Sequence, residues 1–259
     1  MSLKQKILKT LFRVTKPGLV FYGHNVTEHA GEQVIPSLHL KPKEFESTIV
    51  AFKELGFDFL DLSEILEISA NRFNHTKPWL HVTFDDGYLD NLNVIVPMIK
   101  MYDVPITIFI SSNHIEKHKR FYTYRIKLAI KYTSRDIDLL GVLMARGASD
   151  FDRNSTYQEL VKKFIGLGCS DALDFIDQIE NLLDQDRWSE LNEMYPSDEI
   201  LTTQELIKLN KEDLVTIGSH NHDHVIMNKN ARKTEVEYQM NTSKKWLSNT
   251  LGEDVLSYC

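Results

Sequence analysis

Residues 81–91 read HVTFDDGYLDN and place two adjacent carboxylates, Asp85 and Asp86, at the end of an apolar run. The β-branched and aromatic residues between Trp79 and Phe84 predict a buried strand. Neighbouring carboxylates repel each other, so a pair at the end of such a strand costs stability. We therefore interpret the pair as part of a functional site.

Short apolar runs alternate with helical patterns on both sides of this strand, which is typical of βαβ units and a parallel sheet. The predicted strands are 18–22, 57–62, 79–84, 105–110 and 214–218, and the predicted helices include 43–55, 63–69, 92–102, 204–210 and 231–251. Residues 113–200 are rich in helical patterns and poor in strands, so we expect a helical insertion there. The fold class is α/β.

Several local features of the predicted helices follow from side-chain chemistry. Ser63 is a candidate helix cap, and Thr156 with Glu159 and Thr202 with Glu205 fit capping boxes. On the last long helix, the periodicity predicts that Val236, Met240 and Leu247 face inward.

A second polar cluster, SHNHDH at residues 219–224, directly follows the strand predicted at 214–218. Parallel strands end at a common edge of the sheet, so we expect this cluster to lie near the acidic pair. His220 and His224 are four residues apart and can point the same way from a helical turn. With one carboxylate they would form a two-histidine, one-carboxylate set for a divalent cation, leaving the other carboxylate free to accept a proton from water.

Both clusters resemble motifs of a known family. The segment TFDDGY at 83–88 resembles the first motif of the polysaccharide deacetylases, which are also called carbohydrate esterase family 4 or NodB-homology proteins. The segment at 219–224 resembles their second motif, in which two histidines follow a strand. The resemblance covers about residues 19–112 and 200–259, and it implies a distorted (β/α) barrel.

The resemblance also assigns roles to the residues in these motifs. It implies that Asp85 is the general base and that Asp86, His220 and His224 hold the metal, while His222 has no counterpart. Imidazole and carboxylate ligands suit zinc, although other divalent ions accept them as well.

The end of the sequence departs from the family pattern. Residues 255–259 predict the start of another strand, but the family's later segments, which supply an oxyanion-binding residue and a histidine acid, have no counterpart. We therefore expect an incomplete barrel that lacks its C-terminal strands. His24, which follows Phe21-Tyr22-Gly23, either approaches the site or is an ordinary hydrogen-bonded histidine.

Composition restricts the partners. With a net charge of -7, the chain is not expected to bind nucleic acid. Residues 1–17 form a basic amphipathic helix that either packs on the domain or contacts an anionic membrane. The absence of a secretory signal pattern predicts a cytoplasmic protein, either free or membrane-associated, with free thiols at Cys169 and Cys259.

These features predict a metal-dependent hydrolase that removes N-acetyl groups from amino sugars of a polysaccharide or of its lipid-linked precursor. Two alternatives stay open. One is a non-catalytic carbohydrate-binding or assembly protein that retains the metal site, and the other is an amidohydrolase that acts on a small non-carbohydrate amide.

Overall fold

A five-stranded parallel sheet forms the centre of the protein in the computed structural model, which describes residues 3–28, 35, 38–72 and 74–255. The strands are β1 (Gly18–Gly23), β4 (Asp58–Phe59), β5 (Trp79–Asp86), β6 (Ile106–Ile110) and β9 (Val215–Ser219). Their order is β1-β5-β6-β9, and β4 pairs with the beginning of β5. This arrangement confirms the α/β class predicted from the alternating pattern.

Helices cover this sheet. They are α1 (Leu3–Thr15), α2 (Pro42–Leu55), α3 (Leu62–Ser69), α4 (Val96–Tyr102), α10 (Thr203–Leu209) and α11 (Lys233–Leu251), and a π-helical turn at Asn91–Ile95 precedes α4. Two short strands that the sequence pattern did not predict, β2 (Asn25–Val26) and β3 (His39–Leu40), pair in parallel beside the sheet.

The segment between β6 and β9 is mainly helical, as its sequence predicts. It contains α5 (Ser112–Lys117), α6 (Tyr122–Tyr132), α7 (Asp150–Phe164), α8 (Cys169–Glu180) and α9 (Gln185–Met194), and a small antiparallel hairpin, β7 (Ile137–Leu139) and β8 (Val142–Met144). Ile126, Leu160, Phe164 and Phe175 bury their side chains in a shared apolar cluster. The insertion therefore has its own hydrophobic cluster, to which Val225 from the segment after β9 also contributes.

Strand β5 is buried along almost its whole length, which fits a strand between two neighbours with both faces covered. Its register brings Asp86 opposite Ile110 of β6, and Ile110 lies opposite Ser219 of β9. The acidic pair and the residues that follow Ser219 therefore reach the same carboxyl edge.

Two predicted helix starts are wrong, and one is confirmed. Asp61, not Ser63, caps α3, because its side chain accepts the Glu64 N–H at 2.9 Å. Thr156 lies inside α7, which begins after Ser149. The capping box of Thr202 with Glu205 is present.

Among the described strands the sheet does not close into a complete barrel, which fits the distorted barrel that the family resemblance implies. Strand β1 lies at one edge and exposes Leu19, Val20 and Tyr22. Of the strand predicted at 255–259, only residue 255 belongs to the described part of the chain. The predicted thiol of Cys259 also lies outside it, and Cys169 is a buried free thiol. None of the helices in the described ranges is long and apolar enough to cross a bilayer.

Candidate active site

The carboxyl ends of β5 and β9 bring Asp86, His220 and His224 together. The Asp86 Oδ1 atom lies 2.8 Å from Nε2 of His224 and 3.5 Å from Nε2 of His220. Each of the three side chains offers one ligand atom, and these three atoms all lie within 4.8 Å of one another. Asp86 and His220 are 134 positions apart in the sequence. They lie close together because β5 and β9 are parallel and end at the same edge of the sheet.

The chemistry of this donor set fits a divalent cation. Asp86 is almost completely buried, and the second nitrogen, Nδ1, of both His220 and His224 is buried with no hydrogen-bond partner among the described residues. A buried carboxylate requires a compensating positive charge. Two imidazoles and one carboxylate are ligands that zinc and related ions accept.

The backbone around the site adopts unusual conformations. Asp86 has φ +80°, His224 has φ +56° and Gly87 has φ +94°, all in the left-handed region that side-chain-bearing residues rarely enter. The left-handed backbone at Gly87 favours glycine, and a Cβ there would lie 2.8 Å from Cδ1 of Ile110 and force that side chain to shift. Such strain is typical of functional sites.

Asp85 stands next to Asp86 but has different surroundings. Burial, reinforced by the neighbouring Asp86 carboxylate, raises the pKa of Asp85 to about 7. Burial would also raise the pKa of Asp86, but His224 and His220 hold that pKa below its usual range. The two carboxylates therefore differ in proton affinity, which is the pattern expected when one is a ligand and the other a base. A bound cation would oppose the rise at Asp85.

The histidine loop is held in place by α11. Gln239, only 1% exposed, accepts the backbone N–H of Asp223 at 2.8 Å and of His222 at 3.2 Å, and donates from Nε2 to the Asp223 carboxylate at 2.7 Å. Asn113 donates to the other Asp223 oxygen at 2.5 Å. These bonds fix the loop that carries both candidate ligands.

The inward face predicted for α11 is therefore partly wrong. Leu247 is buried as predicted, but the other buried residues of this helix are the polar Gln239 and Ser243, and not Val236 and Met240. The apolar periodicity carried no signal for these residues, because Gln239 hydrogen-bonds the site loop and Ser243 hydrogen-bonds Ser219 at the end of β9.

The turn after β6 supports the same loop from the opposite side. The Ser111 hydroxyl donates to the backbone carbonyl of His220 at 2.8 Å. The Ser112 hydroxyl lies 2.8 Å from Nδ1 of His222. His222 is thus occupied by a structural contact, in agreement with its omission from the predicted ligand set.

The sequence left open whether His24 approaches the site or is an ordinary hydrogen-bonded histidine. In the structure it lies close enough to Asp86 and His224 to interact with them electrostatically. Burial lowers the pKa of His24, while the charge of Asp86 acts in the opposite direction. The backbone of its loop is held by Asn91, which donates to the His24 carbonyl at 3.3 Å, and by Asp90, which accepts the Val26 N–H at 2.6 Å. The backbone that carries His24 is therefore held by hydrogen bonds.

Asp90 should make folding stability depend on pH. Burial raises its pKa to about 8 despite the Val26 bond. Between about pH 4 and pH 8 the folded protein keeps a proton that the unfolded chain has released, so the free energy of unfolding falls as the pH rises through that interval. Asp90→Asn keeps an acceptor for Val26 but cannot titrate.

We expect denaturant unfolding of the wild type to show a larger loss of stability between about pH 5 and pH 8.5 than that of Asp90→Asn. Equal losses in the two proteins would show that Asp90 is ionised in the folded state at both pH values.

Aromatic rings pack against the candidate ligand His224. Phe121 and Tyr122 have ring centroids 4.8 and 5.3 Å from that of His224, and His114 lies 6.0 Å away. Phe121, Tyr122 and Tyr124 are buried, as expected for packing residues. Nothing in the sequence pattern indicates that His114 lies beside the site. Burial lowers the pKa of His114 to about 3, so it is a neutral neighbour.

Comparison with known proteins places this site in a family. The model of the polysaccharide deacetylase family matches residues 73–259, which include both motifs. No curated protein matches the chain by sequence. Similar solved structures include the Streptococcus pyogenes deacetylase PplD in complex with acetate, which is 16% identical with a TM-score of 0.52 and aligns over 93% of this chain and 71% of that one.

Two further structures have a similar fold. IcaB from Ammonifex degensii is 11% identical with a TM-score of 0.54, over 93% of this chain and 72% of that one. A de-N-acetylase from Aggregatibacter actinomycetemcomitans is 13% identical with a TM-score of 0.51, over 92% and 76%. At these identities the structures show a common fold, and the family match, which spans most of the chain, shows descent. The chain belongs to the polysaccharide deacetylase family of hydrolases.

Proposed function

We propose that this protein is a metal-dependent deacetylase that hydrolyses the N-acetyl group of an amino sugar in a polysaccharide. The observation that supports this proposal is the convergence of Asp86, His220 and His224 with Asp85 at the carboxyl edge of the sheet. The family membership supports the acetylated-glycan class of substrate.

Asp86, His220 and His224 would hold the cation, for which we propose zinc. When bound, such a cation polarises the substrate carbonyl and lowers the pKa of water. Asp86 supplies the negative charge of the ligand set, and its burial excludes competing bulk water.

The remaining carboxylate moves protons. Asp85 accepts a proton from the water whose oxygen bonds to the acetyl carbon. The C–N bond then breaks, and the amine nitrogen takes up a proton as acetate leaves. We assign that donation to Asp85, which holds the proton taken from water in the preceding step.

The alternatives differ in what they release. A non-catalytic carbohydrate-binding protein would bind N-acetylated oligomers without producing acetate. An amidohydrolase for small substrates would act on simple amides. Acetylated glycans are the better supported substrates because the family match includes both motifs.

Release of acetate from N-acetylglucosamine oligomers by zinc-loaded protein tests the proposal, with acetamide and N-acetyl amino acids as a comparison panel. We expect turnover of the oligomers at least about tenfold above that of the small amides. Oligomer binding without acetate would favour the binding protein, and preferential turnover of small amides would favour the third candidate.

A further inference from the structure

Positive charge is concentrated at the beginning of the chain. Residues 1–27 contain five basic side chains, Lys4, Lys6, Lys9, Arg13 and Lys16, and no carboxylate, whereas the whole chain has a net charge of -7. This segregation creates a local positive field on a protein that is acidic elsewhere.

Helix α1, at Leu3–Thr15, packs on the domain through the face that carries Phe12. The Phe12 ring packs edge-on against Phe57 at a centroid distance of 5.3 Å, and the Lys9 ammonium donates to the Glu54 carbonyl at 2.8 Å. These contacts fix the orientation of the helix on the end of α2.

The opposite face of α1 carries an exposed aliphatic stripe. Ile7, Leu11 and Val14 are 60%, 50% and 75% exposed, and their spacing places them within an arc of about 60° at 100° per residue. Lys6 and Arg13, both exposed, lie along one side of this stripe.

From these observations we propose that the stripe of Ile7, Leu11 and Val14, with its neighbouring cations, docks the protein on the surface of an anionic lipid bilayer. An aliphatic stripe beside Lys and Arg is the pattern of helices that lie in a membrane interface. The aliphatic groups would enter the headgroup region, and the cations would contact anionic lipid headgroups.

Other occupants explain less of this surface. A second copy of the chain would cover the three aliphatic side chains with the same stripe, but that stripe offers no carboxylate to Lys6 and Arg13. An acidic polymer would satisfy Lys6 and Arg13 but leave the three aliphatic side chains in water. An anionic bilayer satisfies both features of the surface.

The position of α1 predicts how a docked protein would be oriented. Its contacts with Glu54 and Phe57 lie just before β4, at the amino edge of the sheet, and the candidate active site lies at the carboxyl edge. The six residues of β1 correspond to about 20 Å between these edges. Docking would therefore leave the site open to glycan chains on the aqueous side.

Vesicle co-sedimentation of the full chain tests this inference independently of catalysis. We expect binding to phosphatidylcholine vesicles that contain about 30% phosphatidylglycerol, and binding at least tenfold weaker to vesicles of phosphatidylcholine alone. Leu11→Gln with Val14→Gln should weaken binding to the anionic vesicles at least tenfold, and Lys6→Gln with Arg13→Gln should do the same.

The chain offers matched controls. Leu143 and Phe151 are 74% and 79% exposed in the insertion, so Leu143→Gln with Phe151→Gln removes similar aliphatic and aromatic exposure elsewhere. This pair should leave vesicle binding unchanged, and thermal melting should show that every variant is folded. No binding to anionic vesicles, equal weakening by the control pair, or a dimer that the α1 substitutions dissociate would overturn the inference.

Discussion

Replacing Asp85 with asparagine should reduce turnover of an N-acetylated oligomer by a factor of about 10² to 10⁴, the usual contribution of a general base. The amide side chain has nearly the same shape as the carboxylate but cannot accept a proton from water. Because Asp85 lies outside the Asp86, His220 and His224 set, cation affinity should fall less than turnover does, so the variant can be assayed with its cation bound.

Asp213→Asn is the matched control for this substitution, since it removes an exposed carboxylate before β9 and far from the chemistry. It should have wild-type turnover. If Asp85→Asn retained turnover within about threefold of the wild type, Asp85 could not be the base that the mechanism requires.

Replacing His224 with alanine should weaken cation binding by at least about 100-fold, because it removes one of three protein ligands. Its Nε2 atom is 2.8 Å from Asp86 Oδ1, so the substitution would also leave that buried carboxylate without its nearest polar partner. Turnover should fall with the fraction of protein that holds a cation, and excess zinc should restore it only in part.

His222→Ala is the control for this second prediction. His222 belongs to the same loop, but its Nδ1 atom lies 2.8 Å from the Ser112 hydroxyl and it is absent from the candidate ligand set. We expect a small loss of stability and near-normal cation affinity. A loss of affinity as large in His222→Ala as in His224→Ala would show that loop integrity, and not ligation, determines binding.

The parallel sheet could be predicted from sequence because its strands are short apolar runs with β-branched residues. Residues 106–110 illustrate this, since Ile-Thr-Ile-Phe-Ile is fully buried as β6. The carboxyl ends of parallel strands lie at the same edge of a sheet. The proximity of Asp86 to His220 and His224 could therefore be predicted once TFDDGY and SHNHDH were both placed at the ends of strands.

The supports of the site could not be predicted in the same way. Gln239 and Ser243 are buried polar residues, and hydrophobic periodicity does not identify positions that are buried to make hydrogen bonds. The closeness of His114 to His224 arises from tertiary packing of the insertion. The cap of α3, in contrast, had a signal in the sequence, because Glu64 stands three residues after Asp61 and the two residues form a reciprocal capping box that Ser63 cannot form.

The central claim is that Asp86, His220 and His224 hold one cation together. Elemental analysis after equilibrium dialysis of the purified full chain against zinc measures this directly. The structure predicts one tightly bound zinc ion per chain, and loss of that ion in the variant Asp86→Ala. A wild-type protein that retained no zinc, or an Asp86→Ala variant that retained the same amount, would contradict the claim.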